Sequence, residues 1–207
     1  MNQKNSLGLH SCFMDLDDPM ELFKIWMSEA EKKEINDPNA LSLATTNNKN
    51  EPSVRMVLLK GLNKKGFVFY TNLDRPKSHD IKKNPKAEMC FHWKSLQRQI
   101  RIFGSIIQVS DKEADEYFNS RPYESKIGAW ASNQSKTINK REDFLKKIDE
   151  FKKKYKDSSN VPRPQNWSGW CLNPSSFEFW LGDKYRIHER LKYNKVSNEW
   201  KKEILYP

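Results

Sequence analysis

The sequence predicts a mainly β domain of the α+β class, a closed or nearly closed β-barrel with peripheral helices. Short strand-like runs recur along the 207 residues, joined by tight polar turns in the manner of an antiparallel meander. No internal repeat or low-complexity linker divides the chain, so residues 18–207 read as one domain behind a polar, irregular and mobile segment, 1–17.

The first helix opens at Asp18-Pro-Met-Glu21, with Asp18 as N-cap, Pro19 at the first helical position and Glu21 at the third. Leu22, Phe23, Ile25 and Trp26 give it an apolar face, and it should run to Ile35. Strands are expected at 40–46, 53–60 and 67–71, with turns at 47–50 and 63–66. A short helix follows at 75–83, then strands at 86–93 and 97–109. Ser110-Asp-Lys-Glu113 is a capping box that starts a helix through Asn119. Further helices are expected at 125–131 and 141–156, and Pro162-Arg-Pro164 stiffens the connection that follows. The remaining strands are read at 170–172, 176–180, 185–191 and 200–205.

Thirty-seven basic against 27 acidic residues give a net charge of +10, which suits phosphate-bearing partners without choosing among nucleic acid, anionic membrane and small molecules. Much of that excess sits in lysine runs that read as solvated faces. The mean hydropathy of −0.92 and the lack of a long apolar run point to a soluble chain. Cys12, Cys90 and Cys171 are far apart, which argues against a disulfide framework or a zinc site and fits a reduced, cytoplasmic compartment. No glycine-rich phosphate cradle, GxSxG, HExxH or CxxC pair is present, so neither a P-loop, a hydrolytic triad nor a metal centre is expected. His10, His79 and His92 have no partners at metal-ligand spacing.

Four constellations could carry chemistry. In Trp180-Leu-Gly-Asp-Lys-Tyr-Arg-Ile-His-Glu-Arg190, an extended strand would point Arg186, His188 and Arg190 to one face, successive members roughly 6.5–7 Å apart. Two guanidiniums flanking an imidazole suit an anionic ligand that exchanges a proton or hydride; a solvated edge strand is the plain alternative. Arg55-Met-Val-Leu-Leu-Lys60 is a strand with an apolar centre and a cation at each end, able to lie along a flat ring or to be an ordinary barrel strand with snorkelling ends. Tyr70-Thr71 followed by Arg75-Pro76-Lys77 sets a hydroxyl and cations at a helix start, a plausible phosphate site. Tyr117, Arg121 and Ser125 recur every four residues, together able to hold a phosphate monoester, although Pro122 should break the helix. Gln134 and Ser135 add amide and hydroxyl donors. Gln99 is a lone amide in an Ile- and Phe-rich strand; buried, it would need a polar partner.

Several landmarks recur in fixed order: Arg-Met-Val-Leu-Leu-Lys at 55–60, Phe-Tyr-Thr-Asn at 69–72, Arg-Gln at 98–99, Ser-Arg-Pro at 120–122, Ile-Gly-Ala-Trp-Ala-Ser-x-Gln-Ser at 127–135, Pro-x-Pro-x-x-Trp-x-Gly at 162–169, Phe-Trp at 179–180 and Arg-x-His-x-Arg at 186–190. In that order and spacing they resemble the pyridoxamine (pyridoxine) 5′-phosphate oxidase family over residues 18–207. The resemblance implies an FMN-binding split β-barrel that works as a homodimer, each flavin lying across the subunit interface. It implies oxidation of pyridoxamine or pyridoxine 5′-phosphate to pyridoxal 5′-phosphate with dioxygen as acceptor, and no nucleic-acid or membrane partner. By the same resemblance Arg55, Met56, Val57, Leu58, Leu59 and Lys60 line the FMN, and Tyr70, Thr71 and Lys77 serve its phosphate region. Gln99, Gln134, Ser135, Trp180 and Arg190 complete the flavin site. Lys60, Tyr117, Arg121 and Ser125 would grip the substrate phosphate. Arg186, Ile187 and His188 would lie over the substrate ring, with Arg186 and His188 at the reacting carbon.

The chain departs from the family pattern at Arg75-Pro76-Lys77, where Ser-Arg-Lys is usual, so Arg75 is the candidate replacement for the arginine lost at Pro76. The family's basic, Tyr-containing N-terminal segment is not recognisable in residues 1–17, and its closing Arg-Leu-x-Pro reads Ile-Leu-Tyr-Pro at 204–207. Two other readings compete. A related split-barrel flavin oxidase could act on a dihydrophenazine-type ring. A basic, aromatic-rich nucleic-acid-binding barrel would explain the charge but not the ordered motifs.

Overall fold

The structure, a computed structural model, describes residues 4–132, 136–157, 159 and 161–207. Helix α1 is Pro19–Lys33, followed by strands β1 (Ala40–Thr46), β2 (Pro52–Leu58), β3 (Gly61–Asn63) and β4 (Gly66–Asn72). Helix α2 (Pro76–Lys83) leads to β5 (Lys86–Trp93) and β6 (Arg98–Gln108). Three helices come next, α3 (Asp111–Ser120), α4 (Tyr123–Ala131) and α5 (Arg141–Lys154), and then β7 (Trp167–Leu181), β8 (Glu189–Val196) and β9 (Glu199–Leu205).

The caps act as the sequence predicts. The Asp18 carboxylate accepts from the Met20 N–H at 2.9 Å, and Ser110 Oγ accepts from the Glu113 N–H at 3.3 Å, each satisfying a donor that has no helical partner. Helix α1 ends at Lys33, so Ile35 lies outside it and is 92% exposed.

The strands form one antiparallel, curled sheet in the order β2-β1-β5-β6-β7-β4-β3, with β8 paired to β7 and β9 to β8. The hinge of this arrangement is β7. One edge of β7 pairs with β6; the other pairs with β4 over 167–172 and with β8 over 176–181. The sequence expectation of two strands here, 170–172 and 176–180, is corrected to one. The chain runs through Asn173, Pro174 and Ser175 because a register shift between Phe103 and Gly104 takes up the extra residue as a bulge. Pro174 is tolerated at that bulge, and Gly104 is required opposite it, since a Cβ there would meet the Asn173 carbonyl oxygen at 2.0 Å.

A second correction concerns the strand read at 185–191. Tyr185 and Arg186 have left-handed φ values of 59° and 63° within a tight turn, and β8 begins only at Glu189. Arg186 and His188 therefore do not share one strand face with Arg190.

The core lies inside the curl and is plugged by α1. Leu22, Phe23, Trp26 and Ala30 fall on one stripe of the helix and are fully buried. Phe23 meets Phe67 edge-on at 4.8 Å and Phe91 at 5.2 Å, while Trp26 meets Phe179 at 5.2 Å. From the N-terminal segment, Leu9 and Phe13 are buried in this core; Trp26 Nε1 also donates to the Cys12 carbonyl and the Tyr193 hydroxyl to that of Leu16. Among the described residues no helix is long and apolar enough to cross a membrane.

Candidate active site

A cleft of about 460 Å³ opens between the end of β2, the middle of β4, and the junction of α3 with α4. One wall is Met56, Val57, Leu58 and Lys60. Tyr70, Thr71 and Asn72 of β4 form the floor with Trp167 from the start of β7. Lys77 of α2 enters from one end, and Tyr117, Arg121, Pro122 and Ser125 close the other. Seven of the sequence-predicted polar site residues thus converge: Lys60, Tyr70, Thr71, Lys77, Tyr117, Arg121 and Ser125. The helix breaks at Arg121-Pro122, as Pro122 predicts, yet Tyr117, Arg121 and Ser125 still face one space because α4 restarts at once.

The aromatic floor sets the geometry. Tyr70 stacks on Tyr117 with ring centroids 3.9 Å apart and lies nearly parallel to Trp167 at 5.3 Å. Gly169, paired with Tyr70 across the β4–β7 ladder, makes this possible: a Cβ at 169 would stand 2.7 Å from the Tyr70 ring. Burial pushes the Tyr70 phenol up to about 12, with Glu113 next in effect, so it remains a neutral hydroxyl at physiological pH. Sequence reasoning quoted Trp167 and Gly169 in a motif but gave them no role; Tyr70 opposite Gly169 was the available signal, legible only once β4 and β7 are known to pair.

Three cations, Lys60, Lys77 and Arg121, line the cleft. The Arg121 guanidinium lies over the Trp167 ring at 4.9 Å and the Phe118 ring at 5.5 Å, and its buried Nη1 has no hydrogen-bond partner among the described residues. Burial lowers the Arg121 pKa, the mark of a charge held out of water. Lys77 donates to Thr71 Oγ1 at 3.0 Å. Burial, then the nearby charges of Arg75 and Arg55, bring Lys77 down to about 8. Arg55 itself is tied back from the cleft: it donates to the Leu43 carbonyl at 3.2 Å and to Thr45 Oγ1 at 2.6 Å, contacts Ser53, and lies 4.0 Å from Asp80. Leu59 points into the core, and its backbone N–H and C=O both pair with Asn39. Lys60 lies past the end of β2. Arg75 stands at the N-cap position of α2 without a side-chain capping bond, with Pro76 at the first helical position.

The other predicted residues form a second group outside the cleft lining. Gln99 of β6 is opposite Trp180 of β7, which is opposite Arg190 of β8. The His188 ring sits 4.6 Å from that of Trp180. Arg190 donates through Nε and Nη2 to Glu178 Oε1, at 3.0 and 2.8 Å, and through Nη1 to the Tyr206 carbonyl at 3.0 Å. Arg186 and Ile187 are exposed in the turn before β8. Gln134 and Ser135 lie outside the described residues.

A curled antiparallel sheet plugged by a helix, with an aromatic-floored cleft lined by Lys60, Lys77 and Arg121, defines a split barrel with a small-molecule-sized cleft. Comparison with known proteins narrows this. The family model described as pyridoxamine 5′-phosphate oxidase matches residues 27–155, and that of the pyridoxine 5′-phosphate oxidase C-terminal dimerisation region matches 167–207. The chain is 61% identical over 208 residues to a pyridoxine/pyridoxamine 5′-phosphate oxidase of Pelagibacter ubique HTCC1062, covering 100% of both chains. It is 47% identical over 197 residues to one of Sinorhizobium fredii NGR234, covering 94% of this chain and 95% of the other. Among solved structures, PhzG from Burkholderia lata 383, in complex with tetrahydrophenazine-1-carboxylic acid, superposes with a TM-score of 0.88 at 26% identity, over 95% of this chain and 96% of that one. The chain belongs to the pyridoxamine 5′-phosphate oxidase family, and it carries that family's dimerisation region.

Proposed function

We propose that the protein is an FMN-dependent oxidase, located in the cytoplasm, that converts pyridoxamine or pyridoxine 5′-phosphate to pyridoxal 5′-phosphate. The alcohol and dioxygen give the aldehyde and hydrogen peroxide; the amine, dioxygen and water give the aldehyde, hydrogen peroxide and ammonia. The observation that carries this reading is Arg121, a half-buried arginine whose buried Nη1 has no hydrogen-bond partner among the described residues, beside Tyr117, Ser125 and Lys60 in the cleft. Desolvating a cation without a partner is costly, and a phosphate monoester supplies the missing acceptors.

The residues present also fit FMN. Lys77, Thr71 and the neighbouring Arg75 offer a second cationic pocket for its phosphate, and the apolar edge of β2 offers a wall for a flat ring. Bound FMN would supply the two-electron oxidation chemistry and the route to dioxygen. The chain's own part is orientation and charge. Lys60, Tyr117, Arg121 and Ser125 hold the substrate phosphate, while Arg186 and His188 face its ring, with Ile187 between them. Gln99, Trp180 and Arg190 complete the flavin site, with Gln134 and Ser135 assigned to it by the family pattern. The two groups of residues are best joined across a homodimer interface, the cleft from one protomer and the Trp180–Arg190 group from its partner.

The purified protein should be yellow, and pyridoxine 5′-phosphate should bleach its visible absorption under anaerobic conditions. A colourless protein that does not take up added FMN would overturn the oxidase reading. Flavin that is bleached by a dihydrophenazine carboxylate but not by pyridoxine 5′-phosphate would move the assignment to the PhzG-like alternative.

Lys77 gives this reading a pH signature. Its charge is full below about 8 and is lost as pH rises through that value. FMN affinity should therefore weaken above about pH 8, by at most about tenfold per pH unit for one proton. Fluorescence titration of the apoprotein with FMN checks this, and Lys77→Met should remove the pH dependence; persistence of the slope in that variant would assign it to another group.

A further inference from the structure

We propose that Glu189 is a positioning residue for substrate: its carboxylate latches residues 4–10 to the turn that carries Arg186 and His188. The inference rests on the reading of that turn as substrate-facing.

The turn has little to hold it in place by itself. Tyr185 and Arg186 are both in the left-handed region, where side chains with a Cβ are disfavoured. Tyr185 and Ile187 are exposed, so burial does not anchor it. Its inner hydrogen bonds are few: Lys184 N–H to Asp183 Oδ1 at 2.6 Å and Ile187 N–H to the Lys184 carbonyl at 3.3 Å. Conformations of this kind persist when their ends are fixed by the surroundings.

Both ends are fixed. At the first, the Gly182 N–H donates to the Gln97 carbonyl at 2.7 Å, and the Asp183 N–H donates to His188 Nδ1 at 3.2 Å. The second of these bonds makes Nδ1 an acceptor, so the neutral imidazole carries its proton on Nε2 and offers that N–H to a ligand. At the other end stands Glu189, the residue after His188. Lys4 Nζ bonds to its Oε1, and the His10 N–H donates to its Oε2 at 2.5 Å.

The N-terminal segment is shaped to present those two donors. Lys4 and His10 pair as an antiparallel bridge. Asn5 Oδ1 closes the loop between them by accepting from the Leu7 and Leu9 N–H groups, each at 3.0 Å. Leu9 seats the loop in the core. The additional charged contact falls on the residue adjoining His188, where β8 begins by pairing Glu189 with Leu181, and ties that end of the turn to the N-terminal segment.

The test uses the full-length, flavin-loaded protein and the variants Lys4→Glu, Glu189→Lys and the double exchange, with Glu189→Gln as a milder change should charge reversal disturb folding. Three quantities are read: KM and kcat for pyridoxine 5′-phosphate, flavin content, and amide hydrogen exchange over residues 183–189. Each reversal should raise KM about tenfold, with a much smaller change in kcat, since displaced contacts to substrate cost binding and alignment. Flavin content should hold, exchange in the turn should quicken, and the double exchange should recover part of both effects. Glu189→Gln should move them in the same direction by less. Unchanged exchange in both Glu189 variants, or no recovery in the double exchange, overturns the latch. Exchange that responds and recovers while KM stays constant supports the latch and overturns the substrate-facing reading of the turn.

Discussion

Arg121→Ala is expected to lower kcat/KM for pyridoxine 5′-phosphate by about two to three orders of magnitude, about 3–4 kcal/mol, the scale for removing one partner of a desolvated charged contact. Most of the loss should appear in KM. The phosphate is remote from the reacting carbon, so its contacts are made alike in the ground and transition states. Stability should fall little or even rise, because the wild-type Nη1 is buried without a hydrogen-bond partner among the described residues. Arg121→Lys should recover only part of the affinity, since an ammonium keeps the charge but not the planar fork that stacks on Trp167. Unphosphorylated pyridoxine, as a control substrate, should be turned over equally slowly by the wild type and both variants. Loss of flavin with an unchanged KM would place Arg121 on the cofactor's phosphate instead.

That prediction draws on residues that could be read before the structure was known, and it is instructive where such reading stops. The helix starts at Asp18 and Ser110 were legible because capping is local, a side chain meeting a backbone N–H two or three residues away. The grouping of Tyr117, Arg121 and Ser125 was legible for the same reason: they are close in sequence and survive the break at Pro122. Lys60 and Lys77 reached the same cleft only through the family pattern, since no short-range rule brings β2, α2 and α3 together. The turn before β8 was misread because alternation assumes extended backbone, and nothing in Asp183-Lys-Tyr-Arg186 announces two left-handed residues without glycine. What holds them includes a hydrogen bond from residue 10 to residue 189, a contact that no window along the sequence can see. The continuity of β7 was hidden likewise, because Pro174 reads as a break until Gly104 is found opposite it.

The largest effect on stability should come from the plug. Phe23→Ala is expected to cost about 3–5 kcal/mol, the range for truncating a fully buried aromatic, and to lower Tm by about 6–20 °C for a chain of this size. Phe23 is fully buried and touches rings on two strands, Phe67 of β4 and Phe91 and Trp93 of β5. The space it leaves is walled by those strands, whose hydrogen-bond ladders prevent them from collapsing inward, so the cavity should persist and the cost should lie toward the upper end. Ile35→Ala is the control: it removes an apolar side chain just past the same helix, but one that is 92% exposed, and should change stability by under about 0.5 kcal/mol. The consequence for the site follows from β4, which places Phe67 against the plug and, three residues on, Tyr70 on the cleft floor. Loosening Phe67 should therefore raise KM as well as lower Tm, and urea denaturation alongside steady-state kinetics would measure both. A cost below about 1 kcal/mol would mean that α1 merely lies against the barrel and that the sheet closes its own core.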